Sequence, residues 1–333
     1  MRFLLALLLL PAIAQAQSPW NGPLAAENAR PLQQIFLHLS PRNPDVLPKN
    51  QSGLAFQLDI ANNLLVPNPD AGGAVTEDFE TQRLLVNYRR GLGRGLEARL
   101  DAQLIARNGG FEDAPIDAYH RLFGIKADGP DQPQGRFNIP RNRSILAFQN
   151  SNGTGINQGS AFGVGDTTLS LTRQISGGKL ASAAQIAVKL PTGSGNKILG
   201  SGGFDGGLSF DARFNFARNW ALFGNAGAYA YGGADVPDAK NNGISGGLGF
   251  ERRVGKGQSI LAQINADSRV VSTGNAFADR TPVIASVGYK RQWKTGALWA
   301  FFSENGDYHN YRAPFFGNIA PDLTLRFGYE FRR

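Results

Sequence analysis

The sequence predicts an all-β fold, a closed antiparallel transmembrane β-barrel of about 12 strands, and three observations lead to it. Between residues 53 and 331, segments of about ten residues alternate apolar and polar side chains, as barrel strands do. The gaps between these segments are short and long in turn, and a signal peptide precedes them. Side chains of a β-strand point to opposite faces in succession, so this alternation indicates strands with one apolar and one polar face. Strands joined alternately by short turns and long loops are typical of outer-membrane barrels.

Residues 1–16 have the pattern of a secretory signal peptide. Arg2 supplies the positive charge, residues 3–13 the apolar core, and Ala14-Gln15-Ala16 the cleavage site, so we expect the mature chain to start at Gln17. The 333 residues contain no cysteine, which excludes disulfides, thiolate metal sites and a lipid anchor on cysteine. No later apolar run approaches the length of a transmembrane helix, so a secreted chain that enters a membrane is expected to do so as a closed barrel.

We predict the strands from the period-2 pattern, and the third of them shows it clearly. Leu96, Leu100 and Leu104 share its apolar face, while Glu97 and Arg99 lie on the other. Residues 220–231 and 297–305 are apolar on both faces, so their orientation is not predicted. The predicted strands are residues 53–65, 81–90, 96–107, 166–175, 180–190, 206–216, 220–231, 244–254, 259–269, 282–291, 297–305 and 323–331.

The connections predict the topology. Tight turns are predicted at residues 91–95, 176–179, 218–219, 255–257 and 294–296, and long loops at 66–80, 191–203, 232–241, 271–279 and 306–321. Tight turns of such barrels face the periplasm and long loops the exterior. A strand-like segment at 144–149 would break this alternation, so we place residues 108–163 outside as one large extracellular excursion. The alternative, with 14 strands, recruits residues 144–149 and 32–39.

Residues 17–51 precede the barrel, which we assign to residues 52–333. This segment contains Pro19, Pro23, Pro31, Pro41, Pro44 and Pro48. Proline cannot donate a hydrogen bond to a sheet, so regular strands are disfavoured here. The segment is predicted to be either a periplasmic tail or a plug inside the lumen, and the sequence leaves both open.

Charged residues recur on the inward faces of the predicted strands. They indicate a narrow polar conduit suited to a small charged or zwitterionic solute. The alternative is that they brace a closed interior, because buried charges need partners and a barrel of this size leaves little room. Neighbouring opposite charges suggest pairs within strands, whereas Arg173, Lys189 and Lys290 are expected to add unpaired positive charge. The full set is Glu97, Arg99, Asp101, Arg107, Arg173, Lys189, Asp211, Arg213, Glu251, Arg253, Asp267, Arg269, Lys290, Arg326 and Glu330.

A short amphipathic helix is predicted inside the large outer excursion. Apolar residues at helical spacing follow the start signal at residues 113–115 and end at Gly124. The helix could be a lid over the barrel mouth or a lipid anchor, although simple packing of the loop on the rim is the favoured interpretation. The residues assigned to it are Ile116, Asp117, Tyr119, His120 and Phe123.

Catalytic and metal-binding chemistry is weakly supported. His38-Leu39-Ser40 has the H-x-S spacing of barrel lipid hydrolases, but it precedes the barrel, so no catalytic residue is assigned. His120 is assigned to the rim and His309 to the last outer loop. Clustered acids are interpreted as solvated loop carboxylates, and no metal or cofactor is predicted. The acids are Glu112, Asp113, Asp117, Asp235 and Asp238. The glycine-rich residues 153–165 and 193–203 are interpreted as mobile loops.

The charge of the chain bears on its partners. Without Arg2, 33 basic side chains stand against 26 acidic ones. They are dispersed along the chain without an aromatic-rich basic patch, so nucleic acid is not an expected partner. The expected partners are outer-membrane lipids, lipopolysaccharide, a possible small solute and the barrel-assembly machinery. That machinery recognises a last strand ending in an aromatic residue, and here Phe331 is followed by Arg332 and Arg333. The oligomeric state is not predicted.

Several short motifs together resemble an uncharacterised family of Gram-negative outer-membrane proteins, known as domain of unknown function 3187. The resembling pieces span nearly the whole mature chain. They are Gly22-Pro23-Leu24, Asn28, Asp59 with Asn62, residues 116–120 with Phe123-Gly124, Gly165-Asp166, Lys189 to Gly193, Gly200 to Gly202, Asp205, and Ala320 to Asp322. The resemblance implies an outer-membrane barrel and no established activity, so it transfers no functional residues.

The sequence thus leaves three functional hypotheses. The first is a non-enzymatic barrel of the Gram-negative outer membrane that acts as a narrow channel or binding barrel for a small polar or charged solute. The second is a closed structural or envelope-interaction barrel. The third is a lipid-modifying hydrolase that uses His38 and Ser40.

Overall fold

The computed structural model describes residues 19–65, 74–123, 142–149, 153–275, 278–304, 321 and 323–333. Its helices are α1 (Pro31–Gln34) and α2 (Asp113–Phe123), with a 3-10 turn at Gly195–Lys197. None of the helices in these ranges is long and apolar enough to cross a membrane. The strands are β1 (Ser52–Leu65), β2 (Ala74–Gly93), β3 (Leu96–Asn108), β4 (Ile145–Gln149), β5 (Gly155–Gln158), β6 (Ala161–Val164), β7 (Thr167–Ser176), β8 (Leu180–Leu190), β9 (Asp205–Ala217), β10 (Trp220–Tyr231), β11 (Asn242–Gly255), β12 (Gln258–Asp267), β13 (Val283–Trp293), β14 (Gly296–Glu304) and β15 (Leu323–Arg332).

Twelve of these strands form one closed antiparallel barrel. Each pairs with its neighbour in the chain, β3 pairs with β7 across the large excursion, and β15 pairs with β1 to close the ring. At the closing seam Leu58 lies opposite Phe327 and Gly53 opposite Arg332. The prediction of 12 strands is confirmed, and the 14-strand alternative is wrong because α1 occupies part of residues 32–39 and β4 adds to β2 beyond the barrel ring.

The strand β2 is longer than predicted. It begins at Ala74 instead of residue 81, because residues 77–80 continue the ladder with β1 and residues 74–78 pair with β4. β5 pairs with β4 in turn, so the strand-like segment at 144–149 forms a small sheet at the outer end of β2, as its assignment to the excursion predicted. β6 pairs with residues 104–107 of β3, and β7 pairs with residues 96–101 of the same strand. Gly165 and Asp166 connect β6 to β7.

The connections separate by length onto the two ends of the barrel. The tight turns at residues 94–95, 177–179, 218–219, 256–257 and 294–295 lie at one end, here called the turn end. The long connections, including 191–204, 232–241 and 268–282, lie at the other, here called the loop end. This is the predicted alternation, and in outer-membrane barrels the turn end faces the periplasm.

Alternation along the strands produces an apolar outer wall. Large apolar side chains stay exposed on it, among them Leu58, Leu100, Leu208, Phe250 and Phe327. Their exposure is expected in a barrel surrounded by lipid, where the apolar band faces outward. The strand β10, whose orientation the sequence did not predict, points Ala221, Phe223, Tyr229 and Tyr231 inward and buries them.

Candidate functional site

The lumen is occupied by the chain's own N-terminal part, residues 19–51, here called the inner segment. It enters at the turn end, rises to the loop end at α1, and descends again to the start of β1. Its two ends mark this course: the backbone N–H of Asn21 donates to Glu251 at 3.0 Å, and that of Asn50 donates to the Gly91 carbonyl at 3.0 Å. Of the two placements that the sequence left open, the structure shows the one inside the lumen.

The ascending limb is held by polar and apolar contacts with β11, β12 and β14. The Asn21 side chain donates to Ser259 at 2.8 Å, and the N–H of Leu24 donates to Oε1 of Gln263 at 3.0 Å. Leu24 is buried against Leu261, Ile284 and Phe301. Apolar residues thus stand on the inward faces of β12, β13 and β14 because the inner segment packs there.

A carboxylate and guanidinium cluster surrounds the middle of the ascending limb. Arg83 of β2 donates to Glu27 at 2.6 Å and, through Nε, to Asp59 at 3.0 Å, and Nε of Arg326 lies 3.5 Å from Asp59. Burial favours the neutral form of Glu27, but Arg83, His38 and the Ser40 hydroxyl outweigh it and lower the pKa of Glu27 to about 2. Glu27 is therefore held as a carboxylate beside the Arg83 guanidinium.

The top of the inner segment is bound to the loop end of the wall. The N–H of Leu37 donates to Asp205 at 2.8 Å, and that of Leu39 donates to the Tyr229 hydroxyl at 3.2 Å. The His38 imidazole lies 2.9 Å from Asp267, Nε2 to Oδ1. Burial favours the neutral imidazole, but Asp267 and Glu27 raise the pKa of His38 above its usual value.

His38 and Ser40 have separate partners. The imidazole contacts Asp267, whereas the Ser40 hydroxyl donates to Glu27. A nucleophilic serine needs its hydroxyl hydrogen-bonded to the base. The structure therefore gives the H-x-S spacing a different role, which is to fasten the inner segment to the barrel wall.

The descending limb makes five further ionic or polar contacts with the wall. Arg42 donates to Glu97 of β3 and, at 2.8 Å, to Thr172 of β7, while its backbone N–H donates to Asp211 at 3.0 Å. The N–H of Leu47 donates to Glu97 at 2.9 Å. Asp45 pairs with Arg213. Partners of the inward-facing charges thus come largely from the inner segment.

A buried hydrogen-bonded cluster of four polar side chains, here called the rim cluster, joins the outer loops to the top of the lumen. Lys189 of β8 donates to Asp166 and to Ser201, each at 2.5 Å, and lies 3.3 Å from Asp205. Asp166 also accepts the N–H groups of Gly193, at 2.8 Å, and Ser201, at 3.1 Å. The loop at 193–203 is interpreted from the sequence as mobile, but in the structure it packs onto the rim, because the rim cluster binds it at Gly193 and at Ser201.

The structure places most of the predicted charge ladder on the inner wall, with three corrections. Lys189 is not unpaired, because it meets Asp166 and Asp205. Arg269 is not on a strand, since β12 ends at Asp267, and its side chain is 44% exposed and 3.8 Å from Asp279. Arg173 is not unpaired either, since it donates to the Arg94 carbonyl.

The pairing within strands was also predicted incorrectly. Two such pairs stand among the described contacts: Arg99 with Asp101, Nε 2.8 Å from Oδ2, and Arg332 with Glu330, of which only the first belongs to the predicted ladder. Glu251 instead accepts N–H groups of the inner segment, Arg253 donates to carbonyl and amide oxygens at residues 218–219, and Glu330 meets Arg89 and Arg332. Arg107 donates to the Lys197 carbonyl at 2.9 Å. Side chains two apart on a strand point the same way, yet partners from an inserted segment compete for them.

The outer excursion contains the predicted helix, now α2. Ile116 is half-buried, and the side chains of Asp117, Tyr119, His120 and Phe123 lie outside the described ones, as does His309. Glu112 and Asp113 are only 3% exposed, so their interpretation as solvated carboxylates is wrong, whereas Asp235 and Asp238 are exposed. Burial and the neighbouring Glu80 and Asp113 raise the pKa of Glu112 to about 8.

Among the described residues, no group of three or more ligating side chains could hold a metal ion.

Free space in the lumen is divided unequally between its two halves. The cavity around His38, Gln103 and Lys189 near the loop end has a volume of only ≈ 60 Å³. A second cavity, at the turn end, reaches ≈ 550 Å³ and is lined by both limbs of the inner segment and by residues such as Arg89, Lys290 and Trp299. The cavity near the loop end is thus too small for an organic molecule, whereas the one at the turn end has room for a small molecule.

The comparisons with known proteins agree with this architecture. Residues 3–332 match the family described as Protein of unknown function (DUF3187), so the chain belongs to that family. The fold is similar to an outer-membrane channel from Pseudomonas putida F1, with 14% sequence identity and a TM-score of 0.55 over 89% of this chain and 100% of that chain. The comparison with curated proteins gives no significant match.

Two porins show weaker structural similarity. The NanC porin is 7% identical with a TM-score of 0.44, and the KdgM porin is 8% identical with a TM-score of 0.42. In each case 84% of this chain and 98% of the porin are covered. The similarity to the Pseudomonas putida channel shows the fold, an outer-membrane type of barrel, and at that identity it shows only the fold.

Proposed function

We propose that the protein is a non-enzymatic channel of the Gram-negative outer membrane for a small polar or charged solute, closed in the described conformation by the inner segment. The observation that carries this proposal is the division of the lumen. A cavity of ≈ 550 Å³ at the turn end stops below a layer where the inner segment fills the barrel. The similar fold of the outer-membrane channel from Pseudomonas putida F1 supports the same class.

The contacts of the inner segment suit a gate. Beside the apolar packing of residues 32–39 with wall residues such as Phe79 and Val271, they include hydrogen bonds and ion pairs, such as Arg42 with Glu97, Asp45 with Arg213 and His38 with Asp267. Both sides of such contacts can be hydrated when the segment leaves, so an open lumen would be polar and filled with water. An apolar seal would leave a dewetted pore instead.

A disulfide tether tests the gate directly. A Cβ atom built on Gly207 of β9 lies 2.8 Å from Cδ2 of Leu37, so Leu37→Cys with Gly207→Cys places two thiols at the top of the inner segment within reach of each other. The chain has no other cysteine to interfere. We expect the oxidised protein to be silent in planar bilayers and to show conductance after reduction. The two single-cysteine variants serve as controls and should not respond to reductant.

Absence of conductance in the reduced variant, in the wild type and after deletion of residues 17–49 would refute the channel. That outcome would support the second candidate, a closed structural or envelope-interaction barrel. A specific observation favours this candidate, namely the burial of entire ion pairs such as Lys189 with Asp166, whose side chains are 3% and 1% exposed. Buried pairs fix a conformation because breaking them leaves an uncompensated charge.

A further inference from the structure

The cavity at the turn end carries an excess of positive charge. Seven cationic side chains line it, among them Arg42, Arg89, Lys290 and Arg332, against the carboxylates of Asp45 and Glu330. Glu97 and Asp101 stand behind this lining and neutralise part of the charge, since they pair with Arg42 and Arg99. Even with these two included, the cations exceed the carboxylates by three. Walls of low dielectric strengthen the field of such an excess inside a cleft.

The carboxylates in this region are shared between guanidinium groups. Glu330 accepts from Arg89 and lies 2.7 Å from Nη2 of Arg332. Glu97 meets Arg42 and also lies 3.6 Å from Nη1 of Arg89. A guanidinium presents five N–H donors in a fixed fork, so one carboxylate between two of them leaves donors available. An added anion would find both charge and donors here.

Among the half-buried cations of this cavity, Lys290 is the one with the fewest polar partners. It makes no hydrogen bond and no ion pair with the described residues, and it is half-buried on the inward face of β13. Its Nζ lies 5.3 Å from the centre of the Trp299 ring. The Trp299 indole N–H donates to Gln57 at 3.0 Å, which fixes the ring. A free ammonium beside an immobilised aromatic face is a recognisable feature of a site for a charged organic molecule.

Apolar surface accompanies these charges. Phe301, Leu85 and Trp20 also line the cavity. Small-molecule sites of several hundred Å³ combine apolar walls with a few placed polar groups. A fully hydrated inorganic ion gains nothing from contact with apolar walls, whereas the carbon skeleton of an organic anion would pack against them.

We infer that the turn-end cavity is a binding site for a small organic anion, in which Lys290 contacts the anionic group and Trp299 the carbon skeleton. This inference rests on the proposed channel, because it names the class of solute that the channel would admit. In the outer-membrane orientation the site faces the periplasm, so the anion can enter it without movement of the inner segment.

Calorimetric titration of the purified full-length protein in detergent micelles tests the site. The probes are benzoate and citrate as organic anions, inorganic phosphate, and benzylamine as the cation that resembles benzoate in shape. We expect saturable binding of at least one organic anion and none of benzylamine. Lys290→Gln should weaken that binding by about tenfold or more, because it removes a charge-assisted contact, whereas Lys290→Arg should retain it.

The matched control is Lys256→Gln, in the exposed turn between β11 and β12 and outside the cavity lining. It removes the same charge and should leave the affinity unchanged. Equal weakening by both variants would mean that net charge alone attracts the anion, and it would overturn the site. Absence of anion binding in the wild type, or binding of benzylamine as tightly as benzoate, would overturn it as well. Gel migration of heated and unheated samples confirms that each variant is folded.

The two proposals can fail separately. Anion binding that depends on Lys290, in a protein that never conducts, would refute the channel and leave the site. Conductance after reduction of the tether, without anion binding and with cation selectivity, would refute the site and leave the channel.

Discussion

Removal of the Arg42 guanidinium should open the barrel by weakening the hold on the descending limb. In the structure Arg42 bonds to Glu97 and Thr172, and its side chain is 11% exposed against 1% for Glu97. Breaking one partner of a buried ion pair costs about 3–5 kcal/mol. Glu97 keeps the N–H of Leu47 at 2.9 Å and Arg89 at 3.6 Å, so the lower end of that range, about 3 kcal/mol, applies to Arg42→Gln.

The contacts of Arg42 with Glu97 and Thr172 join the inner segment to the wall, so the loss falls on the docked state. At about 1.4 kcal/mol per factor of ten, the ratio of open to closed channels should rise roughly a hundredfold. Single-channel recording in planar bilayers measures this ratio. Lys49→Gln is the control, because Lys49 is an exposed cation of the same segment without a buried partner.

A double-mutant cycle with Glu97→Gln separates pairing from general damage. Each single variant leaves a buried charge without its partner, whereas the double variant leaves neither, so the two effects should be clearly less than additive. Unchanged open probability in folded Arg42→Gln would refute the reasoning, as would an effect of the same size in Lys49→Gln. Strict additivity in the cycle would show that Arg42 and Glu97 do not act as a pair.

Three further predictions concern the loop end of the barrel. Lys189→Met should leave the carboxylates of Asp166 and Asp205 without their buried ammonium and destabilise the rim. Limited proteolysis should then cleave faster within residues 191–204, while Lys197→Met on the same loop should have little effect. The pKa of His38 is raised, so its contribution to docking is fully present below its unfolded pKa of about 6.5 and is lost as the pH rises through the higher folded value. Channel opening should therefore increase with pH over that window, and this dependence should vanish in His38→Gln. The pKa of Glu112 is raised to about 8, so burial of this carboxyl becomes unfavourable as the pH rises from its ordinary value of 4.5 to about 8. The protection factors of amides at residues 109–123, which compare each exchange rate with the intrinsic rate at the same pH, should therefore be larger at pH 5 than at pH 9, with no such difference in Glu112→Gln.

Most of the barrel could be predicted from the sequence because lipid imposes a strict pattern. A strand that faces hydrocarbon must alternate, and a break such as residues 144–149 then stands out as a violation of the order of turns and loops. The extension of β2 from residue 81 back to Ala74 could not be predicted. Above the membrane β2 has a partner on each side, β1 and β4, so lipid no longer dictates which residues alternate.

The site could be predicted only in part, because its partners come from a segment without a pattern of its own. The inward charges were recognised, but pairing within strands would join Arg213 to its neighbour Asp211, whereas the structure pairs it with Asp45. One signal was present in the sequence. The strands β10 and β14 are apolar on both faces, and the structure shows that Phe223 packs against Trp20, and Phe301 against Leu24. An apolar inner face on a barrel strand indicates that something other than water lies against it.

The inner segment closes the lumen with apolar packing at residues 32–39 and with buried ion pairs elsewhere, and the ion pairs require an explanation. Replacing buried ion pairs with apolar contacts is often neutral or stabilising, so stability alone does not require Glu27 with Arg83 or Asp45 with Arg213. A segment that leaves its site exposes both surfaces to water, and ionic surfaces are hydrated at little cost where apolar ones are not. The free-energy difference between docked and released states is therefore smaller with ionic contacts than with apolar contacts of the same area. In the proposed channel, the ionic contacts would therefore favour release of the segment more than apolar contacts would, and they would leave a polar lining along the route that it vacates.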